Sequence, residues 1–225
     1  MKKLLIILTS AVVAANAGAD LTVFDTFGPG DTYNPGLALG IGGGANNEEI
    51  AAQFTAGASG NLANVALGLT YFLGTDPAFR AVNVFLYGDA SGSPDNANQT
   101  LLGSTTPIAL FDGVTNNSVV SFSVAGTVPV TMGSLYYVVL KPTSLGTTDA
   151  WMLSSPPVNG LVFSSPNDST WNQALSNVLP AFRLTAVSTV PDSGGTILLM
   201  LGAVAALLLS HRVVQNQRVT HSVRQ

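Results

Sequence analysis

Polar and apolar residues alternate with a period of two along the chain between Gly18 and Thr189. Val65, Leu67, Leu69 and Tyr71 alternate with Asn64, Ala66, Gly68 and Thr70. Val120, Phe122 and Val124 alternate with Ser121 and Ser123, and Phe182 and Leu184 flank Arg183. Successive side chains of a strand point to opposite faces, so each run predicts a strand with one buried face. Ala81 to Tyr87 and Leu135 to Leu140 are apolar on both faces and predict central strands. Turn residues punctuate the runs: Gly28-Pro29-Gly30-Asp31, Gly42 to Asn47, Asp89 to Asn98, Asp112-Gly113, Asn116-Asn117 and Pro156-Pro157. A turn every 8 to 12 residues or so is the signature of an all-β sandwich. No helical period and no internal repeat interrupts it, so the expected fold is all-β, a two-sheet β-sandwich of jelly-roll-like type.

The two ends break this pattern. Met1, Lys2 and Lys3 make a basic start, Leu4 to Ala15 an apolar run, and Ala15-Asn16-Ala17 a small-x-small cleavage site. That order predicts a signal peptide over residues 1–17 that signal peptidase removes after Ala17, with Ala17-Gly18-Ala19 a second acceptable site. At the other end, an uncharged stretch from Gly194 to Ser210 precedes a tail, 211–225, that carries His211, Arg212, Arg218 and Arg224. As a helix this stretch reaches about 26 Å, against a hydrocarbon core of roughly 30 Å, so it spans marginally. The arginines would keep the tail on the cytoplasmic side while the body is exported. The expected organisation is therefore signal peptide, β-sandwich over 18–189, and C-terminal signal with a transmembrane helix over 190–225.

Val190-Pro191-Asp192-Ser193-Gly194, then an apolar helix, then arginines, resembles the VPDSG variant of the PEP-CTERM sorting signals of Gram-negative bacteria. The resemblance implies an exosortase, a membrane-embedded cysteine protease-transpeptidase, as partner. It also implies an inner-membrane intermediate and a final place at the cell surface or outside the cell. The tail departs from that family by running on for 15 residues from His211, with uncharged residues between its arginines.

The body itself resembles the exported choice-of-anchor domains found ahead of varied C-terminal sorting signals. The resemblance rests on Phe24 to Asn34, Ala52-Gln53-Phe54-Thr55, Val65 to Leu69, Val82 to Tyr87 with the Asp89 to Pro94 turn, Leu101-Leu102, Trp171 and Leu179-Pro180-Ala181-Phe182. It implies a surface-destined β-sandwich and brings no catalytic residues with it.

Composition narrows the chemistry. The 225 residues include no Cys, and only 9% are charged. Disulfides and Cys-based zinc sites are excluded. Within 18–189, Arg80, Lys141 and Arg183 face eleven acids, a net charge of −8 that opposes nucleic acid as a partner. Both histidines, His211 and His221, sit in the tail, so the body cannot assemble Ser-His-Asp or Cys-His nucleophiles, imidazole bases or haem ligation. The chain is thus expected not to be an enzyme. Carboxylate-only glycoside hydrolysis survives that test, yet the only glutamates, Glu48 and Glu49, are adjacent and would point to opposite faces of a strand.

Two ligand classes remain. Calcium is a candidate at loop carboxylates, Asp89 and Asp95 above all, although their spacing is not that of an EF-hand and Asx turns that cap hairpins are the favoured reading. Extracellular polysaccharide is a candidate for the aromatics: Trp171, between Thr170 and Asn172, reads as the more exposed, while Trp151, beside Met152 and Leu153, reads as buried. Gly42-Gly43-Gly44 has no following Lys-Ser/Thr and reads as a loop, not a phosphate cradle. The leading expectation is an exported, exosortase-processed protein with a structural or adhesive role. The alternatives are a carbohydrate-binding module or weak glycosidase, and an unprocessed single-pass membrane protein.

Overall fold

A computed structural model of the protein describes residues 20–42, 48–71, 81–105, 119–144, 147–166, 170–173, 176–188 and 202. The expected signal peptide, the motif at Val190 to Gly194, the tail and, apart from Gly202, the apolar stretch before it lie outside the described residues. Among the described residues, no helix is long and apolar enough to cross a membrane. Asp20–Val187 forms one compact unit.

The strands in chain order are β1 (Asp20–Asp25), β2 (Tyr33–Gly42), β3 (Glu49–Thr55), β4 (Gly60–Tyr71), β5 (Val82–Asp89), β6 (Pro94–Ser104), β7 (Val119–Ser123), β8 (Pro129–Val130), β9 (Leu135–Pro142), β10 (Thr148–Ser154), β11 (Val162–Ser165), β12 (Asn172–Gln173) and β13 (Phe182–Val187). They form two antiparallel sheets. One runs β1-β13-β4-β10-β2, with β7 and β8 also paired to β4; the other runs β12-β11-β3-β9-β5-β6. The all-β architecture follows the alternating pattern directly.

Parity decides what lies between the sheets. Val65, Leu67 and Leu69 of β4 meet Ile50, Ala52 and Phe54 of β3, Val84 and Leu86 of β5, and Val138 and Leu140 of β9 in a single buried core. Aromatic rings tie the two layers together. Phe54 lies 5.3 Å from Phe24 and 6.0 Å from Phe182, and Trp151 lies 5.6 Å from Phe182. Burying an indole also means satisfying its N–H. Trp151 Nε1 donates to the Ala181 carbonyl at 3.0 Å. The Thr26 hydroxyl does similar work beside it, donating to the Pro180 carbonyl at 2.7 Å and accepting from the Phe182 N–H at 2.8 Å.

The first and last strands are partners. Asp20 pairs with Val187 and Asp25 with Arg183. Arg183 then clamps the turn that follows β1: its Nε donates to Asp25 Oδ2 at 2.7 Å, its Nη2 donates to Asp31, and its guanidinium lies 5.5 Å from the Phe27 ring. The bonds to Asp31 and then Asp25 raise its pKa further, so it stays charged. Gly30 and Asp31 both take positive φ, 70° and 59°, which closes the turn. A Cβ on Gly28 would sit 2.1 Å from the Ser155 carbonyl oxygen, so only glycine fits there.

Two elements differ from the expectation. Asp89 to Asn98 reads as one long turn, but the reversal takes only Ala90 to Ser93 and β6 starts at Pro94. β6 is an edge strand with exposed outer positions, and register shifts at Val84/Phe85 and Tyr87/Gly88 hide its period. β2, with the turn residues Asn34-Pro35-Gly36 inside it, carries no alternation signal yet pairs with β10 at the other sheet's edge. A register shift between Met152 and Leu153 lets Pro35 to Leu37 bulge from the ladder.

Replacing Phe182 by Ala should cost about 3 to 5 kcal/mol of stability, because the ring touches Phe24, Phe54 and Trp151 and the site cannot collapse from both layers. Urea unfolding followed by the emission of buried Trp151 checks this; a loss under about 1 kcal/mol would contradict the shared-core packing.

Candidate functional site

The outer face of the six-stranded sheet is where the alternation rule predicts polar residues and the chain places rings. Register puts Gln53 opposite Tyr137, Tyr137 opposite Tyr87, and Tyr87 opposite Gln99, a straight row across β3, β9, β5 and β6. One step along, Phe163, Ala51, Val139, Phe85 and Leu101 form a second row. Tyr87, Tyr137 and Phe163 are buried there in a cluster separate from the inter-sheet core, with Phe85 and Trp171 packed against it.

Every ring in the first row has its polar end fixed. The Tyr137 hydroxyl donates to Asp89 Oδ1 at 2.7 Å and accepts from Gln53 Nε2 at 2.8 Å. The Tyr87 hydroxyl donates to Gln99 Oε1 at 2.8 Å, and Lys141 Nζ donates to the same oxygen at 3.2 Å. The Lys141 ammonium also lies 4.6 Å from the Phe85 ring centre and 5.0 Å from that of Tyr87, within cation–π range. Trp171 stands edge-on to Tyr87 at 6.2 Å, and its Nε1 donates to Asn96 Oδ1 at 2.7 Å. Burial, reinforced by Asp89, pushes the Tyr137 phenol pKa well above its ordinary value, while the bond from Gln53 works against this.

The structure separates the two candidate tryptophans. Trp151 is fully buried between the sheets, as its apolar neighbours predict, through its inward parity on β10 and its bond to Ala181, and so it leaves the candidate glycan contacts. Trp171 belongs to the outer-face cluster and is half-exposed. Of the other aromatics, Tyr33 packs beneath Phe27 on the opposite sheet and Tyr136 stacks inward on Phe54.

Asp89 and Asp95 sit at the neck of the β5–β6 hairpin, where Gly88 pairs with Asp95 and Asp89 with Pro94. Asp89 accepts from the Gly92 N–H at 3.2 Å as well as from Tyr137, and Asp95 Oδ1 accepts from the Ala97 N–H at 3.0 Å. Both carboxylates therefore hold turns. Among the described residues, no three or more His, Cys, Asp or Glu side chains converge on a cation. Glu48 is exposed and Glu49 buried, so the two glutamates do not form a pair. Sequence reading missed Gln53, Phe85, Asn96, Gln99 and Lys141. The only signal for them was the apolar character of both faces of β5 and β9, which reads equally as plain burial.

No protein-family model matches the chain, and no curated protein matches it. Among solved structures it is similar to the cysteine protease and lectin-like domains of Cwp84, a surface layer associated protein of Clostridium difficile. Identity there is 15% and the TM-score 0.42, over 63% of this chain and 32% of that one. It is also similar to the clostridial cysteine protease Cwp84 after propeptide cleavage, at 13% identity and a TM-score of 0.47, over 76% of this chain and 41% of that one. The chain thus spans less than half the length of either.

Because the fold holds the Tyr137 proton more tightly than the unfolded chain, whose phenol titrates near 10.0, its contribution is complete below pH 10 and declines as pH rises above it. Tyr137→Phe should lose about 1 to 2 kcal/mol at neutral pH and show a flatter stability profile above pH 10 than the parent. Equal slopes in paired urea titrations would contradict the assignment. Calcium added to the protein should leave its melting temperature unchanged, since Asp89 and Asp95 already serve as turn acceptors; a calcium-dependent rise would show a site they build.

Proposed function

We propose that the protein is an exported β-sandwich of jelly-roll type that exosortase sorts from an inner-membrane intermediate to the cell surface or extracellular matrix. Its role there is structural or adhesive and not catalytic. The observation that carries this reading is the closure of the fold between Asp20 and Val187: every strand among the described residues lies within that unit, between the two expected signals, and β1 and β13 seal it by pairing.

Strand order supports the jelly-roll reading. β1-β13-β4-β7 in one sheet faces β3-β9-β5-β6 in the other, and the chain passes between them in the sequence of two Greek keys. β2, β8 and β10 to β12 are then insertions. A carbohydrate-binding role is the second reading, favoured by the ring and amide row Gln53, Tyr137, Tyr87 and Gln99 on a sheet face that the core does not need.

Intact-mass analysis of the protein from surface and membrane fractions, with and without the host's exosortase, tests the proposal. The expected product lacks residues 1–17 and ends near Val190 to Gly194 only when exosortase is present. An intact Arg224-Gln225 end on exported protein would defeat processing and leave a plain single-pass membrane protein.

A further inference from the structure

The exposed margin of the outer-face cluster is more than a second core. Leu101 is 51% exposed directly opposite half-exposed Phe85, over whose ring the Lys141 ammonium lies at 4.6 Å, an apolar pair at the margin of the sheet. Beside it stand two amides whose orientation is already fixed. Gln99 Oε1 accepts from Tyr87 and Lys141, and one Gln99 Nε2 hydrogen goes to the Asn96 carbonyl at 3.1 Å. Asn96 Oδ1 accepts from Trp171. Among the described residues, this leaves one N–H of Gln99 and the side-chain NH2 of Asn96 without protein acceptors, next to an apolar floor and an indole wall. Donors held in place before a ligand arrives lose little entropy on binding.

We propose that Phe85, Leu101, Trp171, Gln99, Asn96 and Lys141 form a subsite for one pyranose ring of a neutral polysaccharide. This rests on the adhesive, surface-displayed reading and names its ligand. A pyranose presents an apolar C–H face suited to Leu101 and to the part of Phe85 that Lys141 leaves exposed, and equatorial hydroxyls that accept from the two amides. A polar site with apolar flooring and few convergent groups is the usual form of a small-ligand site. Charge selects the neutral class. The body carries −8, exposed Asp89 lies on the same face, and the nearest cation, Lys141, already donates to Gln99. An anionic polymer would meet net repulsion.

The test uses the full-length protein in mild detergent, titrated with cellohexaose, laminarihexaose and, as the anionic control, hexagalacturonate. Trp171 emission and calorimetric heat are read together. At least one neutral hexasaccharide should give both signals and hexagalacturonate neither. Leu101→Ser, at an exposed side chain, and Gln99→Glu, which keeps the Oε acceptor for Tyr87 and Lys141 but removes the NH2 donor, should each weaken binding about five- to tenfold with the fold retained in a melting scan. Trp171→Phe should remove the optical signal while heat persists. The subsite is overturned if neither neutral sugar gives heat at millimolar concentration, if hexagalacturonate binds instead, or if both exposed variants bind as the parent does. Any of these results on protein that is exported and correctly processed refutes the subsite and leaves the surface-module reading intact; failed processing with intact sugar binding does the reverse.

Discussion

Contact between rings from opposite layers is the interaction on which this fold depends. Phe54 of one sheet meets Phe24 and Phe182 of the other, and Trp151 closes on Phe182. Without that contact each sheet would expose a full apolar face, and neither is large enough to stand alone in water. The polar atoms nearby are arranged around this need. Trp151 and Thr26 both bond to carbonyls of the segment 180–182, so the strand that delivers Phe182 also satisfies its neighbours.

The outer face of the six-stranded sheet obeys a different balance. Tyr87 and Tyr137 are buried there without help from the second sheet, and each needs a partner for its hydroxyl. Asp89, Gln53 and Gln99 supply them, which places amides and a carboxylate in a cross-strand row. Polar groups recruited to satisfy rings are then held still, and still polar groups beside apolar surface suit recognition. The same side chains thus serve packing and presentation.

Sheet membership was legible in the sequence wherever one face is wet. β4, β7 and β13 show their period because Asn64, Ser123 and Arg183 remain in solvent contact beside apolar neighbours that pack against the core. β2 was not legible, since Pro35 and Gly36 lie in a bulge and carry turn chemistry inside a strand. The candidate site was half legible. Trp171 was singled out from its polar neighbours, but Gln53, Gln99 and Lys141 become partners only through strand register, a long-range property that no local pattern of residues encodes.

The pairing of β1 with β13 has a mechanical side. β13 carries a hydrogen-bonded neighbour on each edge, β1 and β4, and both run antiparallel to it. Tension applied at Val187 along the strand axis therefore enters a strand clamped along both flanks. To pull it free, two ladders must slip at once, whereas peeling an edge strand breaks bonds one by one.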